Sequence, residues 1–165
     1  MSKPEILFEN FNSQTYGQVT FTEACEKVLE YVTAEPGSQY ELIIGTDSFL
    51  HGNHEAEFVS AIVIHRKRRG GIYFWSKRHE THMHSLRQRI FQEAIYSLRL
   101  AELVLEKLKS LNVMDFDLSI HVDVGPNGET KKMVQEVVGM IKGNGFNVKT
   151  KPDSYGASSV ADRHT

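Results

Sequence analysis

The sequence predicts an α/β protein: one mixed sheet of five strands flanked by helices, with an extra helix at the N-terminus. Three observations carry that expectation. Strand-like runs at 41–50, 57–65 and 71–76 follow one another across short turns, which reads as an antiparallel meander. Two later runs, at 116–124 and 146–150, are each preceded by a helical pattern, the alternation that gives parallel strands through crossovers. The stretch from His84 to Ser110 repeats apolar residues at helical spacing over a length that can cover a sheet.

Composition supports a packed core. Of 165 residues, 40% are hydrophobic and 24% charged, which excludes a disordered chain. The length fits one domain. Lys and Arg number 19 against 21 Asp and Glu, so bulk positive charge cannot be what holds a nucleic acid. One cysteine, Cys25, excludes a disulfide scaffold and a cysteine-based zinc site. No apolar run approaches the length of a membrane span, and Met1 to Asn10 has no signal-peptide core. The expectation is a cytoplasmic protein with no membrane partner.

Residues 1–38 read as an N-terminal arm and helix, and 39–165 as the main compact unit. Up to Val19 the arm mixes Phe8, Phe11 and Tyr16 with polar residues and reads as irregular. Thr20 or Thr22 can cap a helix running to about Thr33. Its apolar positions Phe21, Ala24, Cys25, Val28, Leu29 and Val32 follow i, i+3, i+4 spacing, which places Cys25 on the buried stripe. Glu35-Pro36-Gly37 stops it. The first strand carries the apolar run Leu42-Ile43-Ile44, expected where both faces are covered. Gly52-Asn53 marks the turn to the second strand, and Arg69-Gly70-Gly71 the hairpin to the third. After the long helix and the fourth strand, Gly125 to Gly128 turn into a helix over 129–142. Gly143 and Gly145 end it, and residues 154–165 can form a last short helix.

Placed on this order, the acids converge. Asp47 ends the first strand and Asp123 the fourth, so parallel neighbours bring both to one end of the sheet. Two carboxylates there repel unless a cation sits between them. Hard cations such as Mg²⁺ bind through one or two carboxylates plus substrate phosphate. At about 100° per residue, Glu93 falls about 60° from Ile90, on the flank of a stripe that includes Leu86, Ile90, Ala94 and Leu98. Glu102 and Glu106 fall outward. Glu93 is therefore the acid of the long helix that faces the sheet. Asp162, in Ala161-Asp162-Arg163-His164, is a candidate fourth acid, with a surface charge as the alternative. Asp153 is a weaker candidate that can instead cap the last helix.

These residues resemble a known arrangement. The element order with an acid at each of those positions is similar to the ribonuclease H-like superfamily. GTDS at 45–48, HVDVG at 121–125, Gly139-Met140 followed by Gly145-Phe146, and VADRHT at 160–165 resemble the ribonuclease H-like YkuK family of bacteria. The resemblance covers about Tyr40 to Thr165. It implies strand order 3-2-1-4-5 and two-metal cleavage of phosphodiester bonds, with a nucleic acid as substrate and two Mg²⁺ or Mn²⁺ ions held by Asp47, Glu93, Asp123 and Asp162. Such ions stand about 3.5–4 Å apart. His164 can assist proton transfer or be a frayed terminal residue. Lys151, Arg78 and His82 are further candidates for substrate contact or proton transfer.

Other readings stand beside this one. A fold of the same kind can bind nucleic acid or protein without cleaving. Asp123-Val124-Gly125 with Thr130 faintly resembles the phosphate loop of actin-like ATPases, which need two such domains. The run Arg66-Lys67-Arg68-Arg69 invites nucleic acid, yet the topology puts it at the far end of the sheet from Asp47. His79, His82 and His84 form a polar entry to the long helix or a zinc site, without a fixed ligand motif.

Overall fold

The computed structural model describes residues 8–112, 117–123 and 130–150. Its elements are β1 (Asn10–Ser13), β2 (Gly17–Thr20), α1 (Phe21–Ala34), β3 (Tyr40–Gly52), β4 (Glu55–Arg66), β5 (Gly71–Glu80), α2 (Leu86–Ser110), β6 (Asp117–His121), α3 (Lys131–Gly143) and β7 (Asn147–Lys149). The expected last helix, with Lys151, Asp153, Asp162 and His164, lies outside the described residues.

The architecture is mixed α/β, but the sheet has seven strands, not five. Its order is β2-β1-β5-β4-β3-β6-β7: the five expected strands follow one another as 3-2-1-4-5, and two further strands extend the sheet beyond β5. The difference comes from the N-terminal arm. The segment expected to be irregular folds into a β1–β2 hairpin, and β1 adds to β5 through Asn12 opposite Trp75. Its signal is hidden because these strands are four residues long and rich in Asn, Ser, Gln and Thr. Phe11 and Val19, opposite each other in the hairpin, supply its buried side.

Thr20 caps α1 with a reciprocal pair: the Glu23 backbone N–H donates to Thr20 Oγ1 at 3.1 Å, and the Thr20 N–H to Glu23 Oε1 at 3.2 Å. Cys25 is buried, and burial pushes its thiol up to about 12, so it is an inert packing residue. β3, β4 and β5 form the antiparallel meander, while β3–β6 and β6–β7 pair in parallel. β5 runs to Glu80, so Lys77 to Glu80, expected in the connection before α2, are strand residues. The β3–β4 turn is two residues, Asn53 and His54, with φ of 51° and 59°. Positive φ at both central positions is the type I′ signature that matches the twist of paired strands. At the other hairpin Gly71 is required sterically, since a Cβ there would stand 2.5 Å from Ile64 O.

Strand alternation divides the core. Leu42 and Ile44 of β3, Phe58, Ile62 and Ile64 of β4, Phe74 of β5, and Leu118 and Ile120 of β6 pack with all three helices. Ile43 and Ala61 point the other way, with Val63, Tyr73 and Trp75 against them. The face of α2 differs from the expected one in phase. Glu93, Ala94, Ser97, Leu100, Ala101 and Val104 are buried, whereas Leu86 is 50% exposed. Glu93 thus sits in the buried face rather than on its flank. Tyr96, Ser97 and Leu100 extend that face to one side of Ile90, and the packing of Tyr96 against Phe58 fixes the turn of the helix.

Candidate active site

The register of β3 and β6 sets the two aspartates. Gly45 pairs with His121 in the parallel ladder, so two residues on along each strand come Asp47 and Asp123. Leu118, Ile120 and Val122 face α2, and alternation turns Asp123 to the opposite face. On β3, Thr46 and Ser48 face α2. Thr46 Oγ1 accepts from Ser97 Oγ at 2.9 Å and shares a 2.8 Å bond with Ser60 Oγ; Ser48 Oγ donates to Glu93 Oε1 at 2.5 Å. Asp47, between them, leaves from the same face as Asp123. Its Oδ1 also accepts from the Ser48 N–H at 2.9 Å, which orients the carboxylate. The two aspartates are therefore neighbours at one end of the sheet, both half-buried.

Glu93 approaches from the helix side. It is 9% exposed, and its carboxyl is pushed up to about 8. Burial is the main cause. The Ser48 hydrogen bond and Arg89 oppose it, while the charges of Asp47 and Asp123 add to it. The three acids thus feel one another electrostatically, and Glu93 holds its proton at neutral pH. Glu102 and Glu106 are exposed.

Not every sequence candidate joins this set. Asp162, His164 and Lys151 lie outside the described residues. Arg78 is drawn toward α2: its Nε donates to Glu80 Oε1 at 3.1 Å, and its guanidinium stands 5.7 Å from the Tyr96 ring. The Tyr96 hydroxyl donates to the same Glu80. His82 is exposed, with its ring 6.1 Å from that of His84. Arg66, in the basic run, is spent on structure at the far end of the sheet, bonding Tyr40 Oη and the Tyr31 carbonyl and lying 4.0 Å over the Tyr31 ring. Tyr73 and Trp75 pack side by side, ring centroids 5.6 Å apart. As the side chains stand, no three His, Cys, Asp or Glu among the described residues are grouped to hold a metal.

Two residues here do not stand out in the sequence. Ser48, which holds Glu93, can be found by alternation from Leu42 and Ile44. Arg89 precedes Glu93 by one helical turn and acts on its charge; that spacing is visible in the chain but its surroundings are not.

A three-strand antiparallel meander leads into parallel β6 and β7. Acids stand within β3, just past the end of β6 and on the helix between them. Together these features define a ribonuclease H-like protein. The comparisons agree: the chain belongs to the ribonuclease H-like YkuK family. The family model described as ribonuclease H-like matches residues 23–165. A relative named uncharacterized protein YkuK, from Bacillus subtilis (strain 168), is 34% identical over 174 residues, covering 97% of each chain. No solved structure gives a significant match. Among the described residues, no helix is long and apolar enough to cross a membrane.

Proposed function

We propose that the protein is a divalent-metal-dependent nuclease that hydrolyses phosphodiester bonds in RNA, DNA or a hybrid. The observation that carries this is the placement of Asp47 and Asp123, each two residues past the last β3–β6 pair, with Glu93 buried in their combined field. Such a cluster of like charges invites a cation. The donors are all carboxylate oxygens, which suit Mg²⁺ or Mn²⁺ rather than a soft metal.

In this reading Asp47 and Asp123 hold the ions, with Glu93 as the third acid and Asp162 as the fourth. When bound, the ions polarise the phosphoryl oxygen and lower the pKa of the attacking water. The chain's own residues do the positioning. The Ser48 N–H fixes Asp47 and the Ser48 hydroxyl fixes Glu93, so one residue orients two carboxyl groups. Hydrolysis adds water across one phosphorus–oxygen bond and leaves 3′-hydroxyl and 5′-phosphate ends.

The test is a panel of single strands, duplexes, hybrids and branched substrates with Mg²⁺, Mn²⁺ or Ca²⁺, run beside an Asp47→Asn/Asp123→Asn double variant. Cleavage should need Mg²⁺ or Mn²⁺, fail in Ca²⁺, and vanish in the variant. Equal product from the variant would expose a contaminant. A second reading stands beside it. That second reading is a ribonuclease H-like module that binds nucleic acid or protein without cleaving. Intact metal binding with no product on any substrate selects it.

A further inference from the structure

A cavity of about 350 Å³ opens between the β3–β4 turn and the start of α2. Leu50, His54, Met83, His84, Leu86 and Arg89 line most of it, and none of its lining residues is acidic. Its walls are tied together. The Met83 N–H donates to the His54 carbonyl at 2.8 Å, which joins the turn to the segment entering α2. His54 sits in the left-handed region at φ 59°, and its ring lies 4.3 Å from that of His84. Met83 is buried beneath them.

Arg89 is the distinguishing group. Its Nε is buried and has no hydrogen-bond acceptor among the described residues. A buried guanidinium nitrogen without an acceptor is costly, and such groups are normally satisfied. Arg89 lies one helical turn before Glu93, and Leu50 lies two residues after Ser48, so the cavity continues the site along both elements. Leu50 and Leu86 are 53% and 50% exposed at its lip, and apolar residues there can flank a sugar or base.

We infer that this cavity binds a backbone phosphate of a single nucleic-acid strand, with Arg89 as its anchor and the His54 and His84 rings beside it. The inference rests on the reading that the substrate is nucleic acid. The guanidinium fork matches phosphate oxygens, and imidazole rings stack on or bond to a strand whose bases are free. The volume suits one nucleotide unit.

The experiment measures binding of a fluorescent single-stranded oligonucleotide in EDTA, across a salt series, to the parent, Arg89→Ala and Arg89→Lys. Arg89→Ala should weaken binding by about 10- to 100-fold, the range for a hydrogen bond to a charged group. Its salt slope should fall by about one phosphate contact. Arg89→Lys, which keeps the charge but not the fork, should fall between them. Thermal melts check folding; if Arg89→Ala fails to fold, Arg89→Lys carries the comparison. Unchanged affinity and slope in the variants, or a parent that binds no strand, overturns the inference. Cleavage and Mn²⁺ titration are read separately. Arg89-dependent binding without cleavage ends the nuclease reading and keeps the pocket. Cleavage with Arg89-independent binding does the reverse.

Discussion

Two glutamates, Glu41 and Glu93, are buried to nearly the same degree, 5% and 9% exposed, yet their carboxyl groups behave in opposite ways. Glu41 is on β3, on the face away from α2, and accepts from Lys149 Nζ of β7 at 3.0 Å. Burial alone would raise its pKa, but the Lys149 bond and charge, with His121 and Lys67, hold it below the ordinary value. Among the described residues Glu93 has the neutral Ser48 hydroxyl as its bonded partner, and the charges of Asp47 and Asp123 act on it. Burial therefore does not decide what an acid does; the company it keeps does. Glu41 is a satisfied member of an ion pair that fastens the sheet edge. Glu93 is held in a state that costs stability once ionised, which is how functional carboxyl groups are commonly found.

The largest expected effect separates the two sites by activity. Asp47→Asn and Glu93→Gln should each lower cleavage at least about 100-fold, the upper end of what losing an outer-sphere partner costs a metal site. Glu41→Gln should leave the rate per folded molecule near the parent's. Initial rates in Mn²⁺ with matched folded fractions give the comparison, and equal loss in all three variants would erase it.

The next effect is on stability against pH. Glu93 titrates at about 8 when folded and near 4.5 when unfolded. The unfolded chain releases this proton first, so the contribution of Glu93 is full below about pH 4.5 and is lost as pH rises through about 8. Glu93→Gln should flatten that fall and be the more stable protein at pH 9, by a few kcal/mol at most, since a tenfold difference in proton affinity between the folded and unfolded chain is worth about 1.4 kcal/mol. Glu41 has the opposite sign. Its pKa is lowered, so its contribution is present above about 4.5 and is lost as pH falls through the folded value. Denaturant melts at pH 4, 7 and 9 read both limbs, and a Glu93→Gln profile parallel to the parent would contradict the assignment.

Lys149→Met tests the other half. It leaves the Glu41 carboxylate in place without its cation and should cost about 1–3 kcal/mol at pH 7 by urea titration. A neutral result would mean that water replaces the amine at this edge. The smallest effect is the control: Glu102→Gln, on the exposed side of α2, should change stability by no more than about 0.5 kcal/mol and leave cleavage untouched.

What the sequence allowed depended on the range of the signal. The meander, the long helix and the positions of Asp47, Asp123 and Glu93 rest on periodicity and strand order, which are local. The β1–β2 hairpin escapes such reading because polar four-residue strands carry no alternation strong enough to see. The exact face of α2 differs from its periodicity because Tyr96 packs on Phe58, and Ser97 bonds Thr46, contacts between residues far apart in the chain. The pairing of Ser48, rather than Asp47, with Glu93 follows from the same alternation rule carried along β3 from Leu42 to Ser48. Arg89 needs the cavity, and a cavity has no sequence pattern.

The hydroxyl contacts between α2 and β3 have a mechanical consequence. Ser97 meets Thr46 and, one turn back on the helix, Glu93 meets Ser48 two residues onward on the strand. Four helical residues advance about 6.0 Å and two strand residues about 6.8 Å, so the two elements mesh like a rack and gear with nearly equal teeth. Such a coupling transmits indexing. Removing one residue from β3 between Gly45 and Ser48 would advance every tooth by half a pitch and present the wrong side of the strand to the helix, with every acid still in the chain. In this protein the count of residues between the strand's start and its aspartate carries as much information as the aspartate itself, and insertions or deletions there should be harder to tolerate than substitutions at any one position.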